Sequence, residues 1–111
     1  MKMILAILRP DRLEEVKTAL INVGVTGMMV IEGRGMGGQQ GHPGRYRGFE
    51  YNIEPIKVHI EIAVADNEAN QVVETIQKAA FTGEVGDDRI FVYALDKCVR
   101  VRTGEIGEAS V

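Results

Sequence analysis

The chain has 111 residues, the usual length of a single domain with one hydrophobic core. Hydrophobic residues make up 45% and charged residues 26%, a globular composition, and the net charge of −3 argues against a dedicated nucleic-acid-binding protein. Cys98 has no partner for an internal disulfide and the apolar start MKMILAIL is too short for a signal peptide or membrane span, so we expect a soluble cytoplasmic protein.

The first predicted elements are a strand and a helix. Residues 3–8 are apolar at every position, as in a strand that is buried on both faces or against a partner subunit. Apolar residues then recur at helical spacing over 11–23, and Gly24 follows as the expected C-terminal cap. The apolar positions of this helix are Leu13, Val16, Leu20 and Val23.

A second strand completes the first unit, and the rest of the chain repeats the order strand, helix, strand. Residues 27–31 (GMMVI) form a short predicted strand, and residues 56–64 alternate apolar and polar side chains, as a half-buried strand does. Asn67 is the expected N-cap of a second helix, and residues 90–95 form the fourth strand. The apolar face of the second helix is Val72, Val73, Ile76 and Ala80.

Strand, helix and strand thus occur twice, which predicts an α+β, ferredoxin-like sandwich of two βαβ units. Two helices cover only one face of a four-stranded sheet. The strands supply more apolar surface than that face uses, so we expect the bare face to pack against copies of the chain. The residues that carry this expectation are Met3, Leu5, Ile7, Met28 and Val30.

A glycine-rich insert occupies residues 36–55, where the fold needs only a tight hairpin. Loops longer than about 12 to 15 residues in a compact domain are usually functional or disordered. Glycine lets the backbone approach a ligand closely, whereas arginine and aromatic residues are typical of contact surfaces. The insert is therefore interpreted as a binding arm, with a merely tolerated loop as the alternative. Its contact residues are Arg45, Tyr46, Arg47, Phe49 and Tyr51.

Two further segments have residues suited to phosphate. In TGEVGDDR (82–89), backbone N–H groups and Arg89 can hold an anion, although a helix-ending turn and a surface arginine give the same pattern. In RVRTGE (100–105), Arg100 and Arg102 alternate on a predicted extended segment and would point the same way, as a polyphosphate clamp or as surface arginines bridged to acids.

Neither a histidine metal site nor a hydrolytic centre is predicted. His42 lies in the insert and His59 on a strand, and no cysteine or histidine stands near either of them at ligand spacing. No nucleophile stands beside a base.

Two motifs, YRGFEY (46–51) and TGEVGDDRIFVYAL (82–95), resemble the signature motifs of the PII signal-transduction proteins. The resemblance covers the whole chain with one single-residue gap. It implies one domain over 1–111, a ferredoxin-like homotrimer, and three functional loops: a T-loop (36–55), a B-loop (82–89) and a C-terminal loop (100–108).

The resemblance also implies a regulator, not an enzyme, in which ATP and ADP compete for sites between subunits. 2-Oxoglutarate binds beside ATP through magnesium. The positions that match the nucleotide site are Ile7, Met29, Gly35, Gly37, Gly38, Glu61, Gly86, Asp87, Arg89, Arg100 and Arg102. Those that match the 2-oxoglutarate site are Gln39, Gly41 and Lys57, and Gln39 also matches the magnesium ligand.

The partners implied by the resemblance are an ammonium transporter and enzymes of nitrogen assimilation, with a membrane contacted only through the transporter. Arg47, Tyr46 and Phe49 match the partner-contacting tip of the T-loop. Tyr51 matches a tyrosine that some bacterial members have uridylylated.

Several positions depart from the family pattern: Met29 replaces a threonine, Gly38 an arginine, Phe49 a small residue and Asp88 a glycine. The gap lies between Tyr51 and Lys57. These departures motivate an alternative, a sensor of ADP or AMP that ignores 2-oxoglutarate and controls another transporter or a carbon-metabolism target. A remote alternative is an acylphosphatase-like enzyme, which needs an arginine and an asparagine converging on one phosphate.

Overall fold

The computed structural model describes residues 1–34, 42–46, 49–53 and 56–111, and within them six strands and two α-helices. The strands are β1 (Lys2–Leu8), β2 (Met29–Arg34), β3 (His42–Tyr46), β4 (Phe49–Ile53), β5 (Ile56–Val64) and β6 (Ile90–Ala94). The helices are α1 (Leu13–Asn22) and α2 (Asp66–Ala80), and short 3-10 helices cover Pro10–Arg12 and Glu108–Ser110. Neither α-helix among these residues has the length and apolarity needed to cross a membrane.

The main sheet has the strand order β2-β5-β1-β6, and all neighbouring strands are antiparallel. Each helix connects two strands that are not neighbours, with a third strand between them, which is the split βαβ arrangement of ferredoxin-like folds. The predicted fold class is therefore confirmed.

The core lies between one face of the sheet and the two helices. Alternate residues of β1 and β5 point toward the helices because successive side chains of a strand face opposite ways. Val23, predicted to face the core, is 37% exposed, and the other predicted helical positions are buried or partly buried. The fully packed residues are Ile4, Ala6, Leu8, Val16, Leu20, Val58, Ile60, Ile62, Val64, Ala69, Val72 and Ile76.

Helix α1 begins later than predicted but ends as predicted. Pro10 starts a 3-10 turn, so the α-helical bonds begin at Leu13 and not at Asp11. At the other end Gly24 has φ 95 and donates its N–H to Ile21 O, while Val25 N–H reaches Leu20 O. This pair of bonds is a Schellman motif, and Gly24 is its glycine.

Two other predicted boundaries were wrong. Helix α2 begins at Asp66, and its N-cap is Ala65 rather than Asn67, because β5 runs to Val64 and leaves one connecting residue. Strand β2 covers Met29–Arg34 and not 27–31. Its pairing with β5 extends to Arg34 opposite Ile56, so cross-strand hydrogen bonds, not local propensity, carry the strand past Ile31.

The bare face of the sheet has a different composition from the predicted one. Val30 lies opposite the core residue Ile60 and so faces the helices, and Met28 packs against the core. Met29 and Ile31 occupy the bare face of β2 in their place. With them on that face are Met3, Leu5 and Ile7 of β1, His59, Glu61 and Ala63 of β5, and Phe91 and Tyr93 of β6.

The insert predicted as a loop contains a hairpin. Strands β3 and β4 pair antiparallel, with Tyr46 opposite Phe49 and His42 opposite Ile53. The two strands form a separate sheet. Sequence periodicity did not indicate them, because glycine and proline interrupt the alternation that marks a strand.

Candidate functional site

The loop between α2 and β6 is folded around one of its own carboxylates. Asp87 accepts hydrogen bonds from the Thr82 N–H at 3.0 Å, the Thr82 hydroxyl at 2.5 Å and the Gly83 N–H at 2.9 Å. The Glu84 N–H donates to the Thr82 hydroxyl oxygen at 3.2 Å. Gly83 has φ 80, a conformation that glycine adopts without strain. The loop therefore has a defined internal structure.

These bonds also favour the ionised form of Asp87. The Thr82 hydroxyl and then the Thr82 N–H lower the pKa of Asp87, with smaller contributions from the Gly83 N–H and the positive charge of Arg9. Asp87 therefore stays ionised in more acidic solution than an isolated aspartate does. In this structure the N–H groups of Thr82 and Gly83 donate to an internal carboxylate, so the prediction that the loop binds phosphate now depends on the rest of the loop and Arg89.

A hydrogen bond from a buried lysine joins this loop to the main sheet. Lys57, at the start of β5, is 6% exposed, and its Nζ donates to the Gly86 carbonyl oxygen at 2.8 Å. Gly86 is buried and has φ 117, a backbone conformation that side chains rarely permit. The predicted 2-oxoglutarate residue Lys57 and the predicted phosphate residue Gly86 are thus in direct contact.

A cleft of about 150 Å³ lies beside the loop. Its lining brings together three of the predicted site residues, Ile7, Asp87 and Arg89, and the Ile7 N–H donates to the Arg89 carbonyl oxygen at 2.9 Å. Arg9 and Phe81 also line it. Sequence reasoning missed Arg9, although a cation at the end of a strand, before a proline, was a usable signal.

Arg100 and Arg102 do not alternate on an extended segment. The Gly104 N–H donates to the Arg100 carbonyl oxygen at 2.7 Å, and the Arg100 N–H donates to Glu105 O at 2.9 Å, so residues 101–103 form a turn. The prediction of an extended segment here is therefore wrong, and strand alternation gives no reason for the two side chains to point the same way. The Arg100 guanidinium donates to Ala109 O at 3.3 Å and lies 4.0 Å from a Glu105 carboxylate oxygen.

The C-terminal segment borders a larger cleft, of about 390 Å³. This cleft lies where α1 ends, β5 ends and α2 begins, and its lining includes Gly24, Gly27, Val64, Glu68, Cys98 and Ser110. Cys98 is a free cysteine and is partly buried. Among the described residues, none of those predicted to bind nucleotide lines this cleft.

The two groups of cationic residues lie at opposite ends of the sheet. Arg89 precedes β6 and lies where β5 begins, since Leu8 is opposite Val58. The segment that contains Arg100 follows β6 and lies where β5 ends, since Lys2 is opposite both Val64 and Ala94. A strand of five residues spans roughly 17 Å. One copy of the chain thus does not bring Arg100 to the 82–89 loop.

The remaining predicted site residues are only partly described. Met29 and Glu61 lie opposite each other on the bare face, and Met29 is 60% exposed. Tyr46, Phe49 and Tyr51 belong to β3 and β4, of which the backbone is described. The residues outside the described part of the chain are Gly35, Gly37, Gly38, Gln39, Gly41 and Arg47.

The described residues do not form the other kinds of site considered. Within them, no three or more His, Cys, Asp or Glu side chains form a metal-binding group. Asn22 ends α1, and Asn67 and Asn70 belong to the first turns of α2, so these asparagines lie at the opposite end of the sheet from Arg89. These asparagines therefore do not converge with Arg89 on one phosphate.

The chain is similar to known regulatory proteins over its whole length. The family model described as Nitrogen regulatory protein P-II matches residues 1–105. Nitrogen regulatory protein GlnK of Escherichia coli (strain K12) is 43% identical over 112 aligned positions that cover all of both chains. Nitrogen regulatory protein P-II of Microchaete diplosiphon is 51% identical over 95% of each chain, and that of Pasteurella multocida is 46% identical over all of both chains. These names describe regulators, in agreement with the prediction that the chain is not an enzyme.

Proposed function

Because the chain belongs to the Nitrogen regulatory protein P-II family, we propose that it senses ATP, ADP and 2-oxoglutarate and regulates nitrogen assimilation through residues 36–55. The observation that carries the proposal is the link between Lys57 and Gly86. It connects the strand that leaves the insert to the loop that is suited to phosphate, so a ligand on the loop acts next to the base of the insert.

The nucleotide site in this proposal is shared between two copies of the chain. The 82–89 loop with Arg89 supplies one wall, and Arg100 and Arg102 of another copy supply the other. Their separation within one chain supports this arrangement, as does the apolar bare face, which gives the copies a surface to pack on. Guanidinium groups suit phosphate oxygens because they present paired donors. We propose a homotrimer as the assembly.

Magnesium and 2-oxoglutarate belong to the same site. Magnesium is usually held by nucleotide phosphates and one or two protein groups, so the lack of an acidic cluster among the described residues is compatible with it. Gln39 would contribute one ligand. Gly41 and Lys57 would hold 2-oxoglutarate, and the buried ammonium of Lys57 is chemically suited to a carboxylate.

The signal is a change in the insert. A ligand that binds one arrangement of residues 36–55 more tightly than another shifts the population toward it. A partner then meets a different surface, built from Tyr46, Arg47 and Phe49, and Tyr51 is the candidate site of uridylylation. The proposed partners are an ammonium transporter and enzymes of nitrogen metabolism, in the cytoplasm or at the membrane through the transporter.

Calorimetric titration tests the proposal. ATP with magnesium should bind the wild-type chain, and 2-oxoglutarate should raise the affinity for ATP. Gln39→Ala should abolish the gain from 2-oxoglutarate and leave ADP binding unchanged. A chain that binds neither ATP nor ADP would contradict the proposal.

One observation favours the second candidate, a sensor of ADP or AMP that does not respond to 2-oxoglutarate. Asp87 is ionised and lines the cleft, and Asp88 lines it too, so negative charge adjoins the place proposed for phosphates. Repulsion of this kind weakens a triphosphate more than a diphosphate or monophosphate. The same titrations distinguish the two candidates: tight ADP or AMP binding with no effect of 2-oxoglutarate would favour the second.

A further inference from the structure

The hydrogen bonds of Asp87 suggest a role different from ligand contact. Three donors converge on this carboxylate, and all three belong to Thr82 and Gly83, at the start of the loop. The carboxylate therefore joins the two ends of a six-residue segment. Because a backbone N–H that already has a charged acceptor gives up that bond at a cost, these donors are not available to a phosphate.

Gly86, the residue before Asp87, is held by a bond to the main sheet. Gly86 presents its carbonyl oxygen to the buried Nζ of Lys57 at 2.8 Å, while Asp87 holds Thr82 and Gly83. The Asp87 N–H in turn donates to the Glu84 carbonyl oxygen at 3.3 Å. Two consecutive residues are thus anchored, one to β5 and one to the beginning of the loop. The backbone of Gly86 and Asp87 is therefore restrained, and Asp87, Asp88 and Arg89 line the cleft.

We propose that Asp87 is a positioning residue for phosphate binding: its carboxylate holds the 82–89 loop in the shape in which Gly86 to Arg89 receive the phosphates. This inference rests on the proposed function and assigns Asp87 a role in place of direct contact with nucleotide. A carboxylate placed against a phosphate repels it, whereas a carboxylate turned into its own loop, with Arg9 nearby, contributes order at a smaller electrostatic cost.

The test compares three variants of the full chain by calorimetric titration with ATP, ADP and adenosine. Asp87→Ala removes the acceptor, and Asp87→Asn keeps one acceptor oxygen. Glu84→Gln is the matched control: it removes one negative charge from the same loop, at an exposed residue whose carboxylate takes no part in the bonds described above. Circular dichroism and the thermal midpoint establish that each variant is folded.

We expect Asp87→Ala to weaken ATP and ADP binding about tenfold or more, because the loop must then be ordered at the expense of binding energy. Asp87→Asn should lose less. Glu84→Gln should bind as the wild type does, and adenosine, which lacks phosphate, should bind all four proteins equally. Wild-type affinity in Asp87→Ala, or an equal loss for adenosine, would overturn the inference.

A second measurement does not need a ligand. Amide hydrogen exchange at Thr82 and Gly83 should be faster in Asp87→Ala than in the wild type, and unchanged in Glu84→Gln. Unchanged exchange in Asp87→Ala would overturn the proposed geometry even if no nucleotide bound. If exchange is faster in Asp87→Ala but the wild-type chain binds no nucleotide, the proposed function is contradicted and the role of Asp87 in the loop is not. The two failures are therefore distinguishable.

Discussion

Position 24 requires glycine because of its backbone conformation and not because of crowding by neighbouring atoms. Its φ of 95 is unfavourable for any residue with a Cβ, yet a Cβ built there would meet no atom within 4 Å. Gly27, three residues later, is equally open but has no positive φ. The two glycines therefore differ in backbone strain and not in crowding, so a comparison of them isolates the cost of the strain.

We predict that Gly24→Ala lowers the free energy of unfolding by about 1 kcal/mol, the usual cost of a left-handed conformation for a residue with a Cβ. Gly27→Ala should be neutral or slightly stabilising, because it restricts only the unfolded chain. Urea unfolding at one protein concentration measures both. Equal losses would show that the helix end does not depend on the left-handed conformation.

Asp87 gives a prediction for pH at the same scale. Its pKa is lowered in the folded chain, first by the Thr82 hydroxyl. A carboxyl with a lowered pKa stabilises the folded state above its unfolded pKa of about 3.9, and this contribution is lost as the pH falls through the folded value. The Thr82 and Gly83 amide signals in NMR spectra should therefore be constant from neutral pH to about pH 5 and change only in more acidic solution. This acidic transition should be absent from the Asp87→Ala variant. If the transition persists there, it reports the titration of another group.

Arg12 shows how two elements are joined by one side chain. Its guanidinium donates through Nε at 3.2 Å and Nη2 at 2.6 Å to the Ala79 carbonyl oxygen, near the end of α2. Carbonyl groups in the last turn of a helix lack partners within the helix, and the C-terminal end carries partial negative charge. Arg12 thus fixes the start of α1 against the end of α2, next to the 82–89 loop.

Arg12→Ala should lower the free energy of unfolding by about 1 to 3 kcal/mol, since it leaves a partly buried carbonyl without a charged donor. Lys17→Ala is the matched control, because the Lys17 ion pair with Glu14, at 3.6 Å, is exposed and should contribute less than about 1 kcal/mol. Thermal unfolding of both variants measures the difference. Similar effects would mean that the two bonds to Ala79 contribute little.

At this scale the sequence predicted more of the fold than of the site. Hydrophobic periodicity predicted the order of the elements because burial in a sheet or helix imposes a repeat on the chain. It was wrong for Val30 and Met28, since a shift of one residue in register exchanges the faces of a strand. The bond from Lys57 to Gly86 and that from Arg12 to Ala79 join residues 29 and 67 positions apart, and no local pattern encodes them.

At the scale of the whole molecule, the question is how one site could use both groups of arginines, because they lie at different ends of the sheet. Arg89 is the last residue of the 82–89 loop and is bonded to β1, whereas Arg100 is bonded to the C-terminal segment. A site that uses both must be shared between copies, and the bare face with Phe91 and Tyr93 offers the apolar surface for their association. Packing of identical subunits around a symmetry axis repeats such a site at every interface.

The central claim is that nucleotide binds between the 82–89 loop of one copy and Arg100 and Arg102 of another. ATP affinity of mixed oligomers tests it most directly. Neither Arg89→Ala nor the double variant Arg100→Ala, Arg102→Ala should bind ATP measurably when purified alone. Oligomers assembled from both, by co-expression with two different tags, should regain sites of wild-type affinity, because some interfaces then unite an intact loop with intact arginines. Mixed oligomers without any high-affinity site, in a preparation where the wild type binds ATP, would contradict the claim.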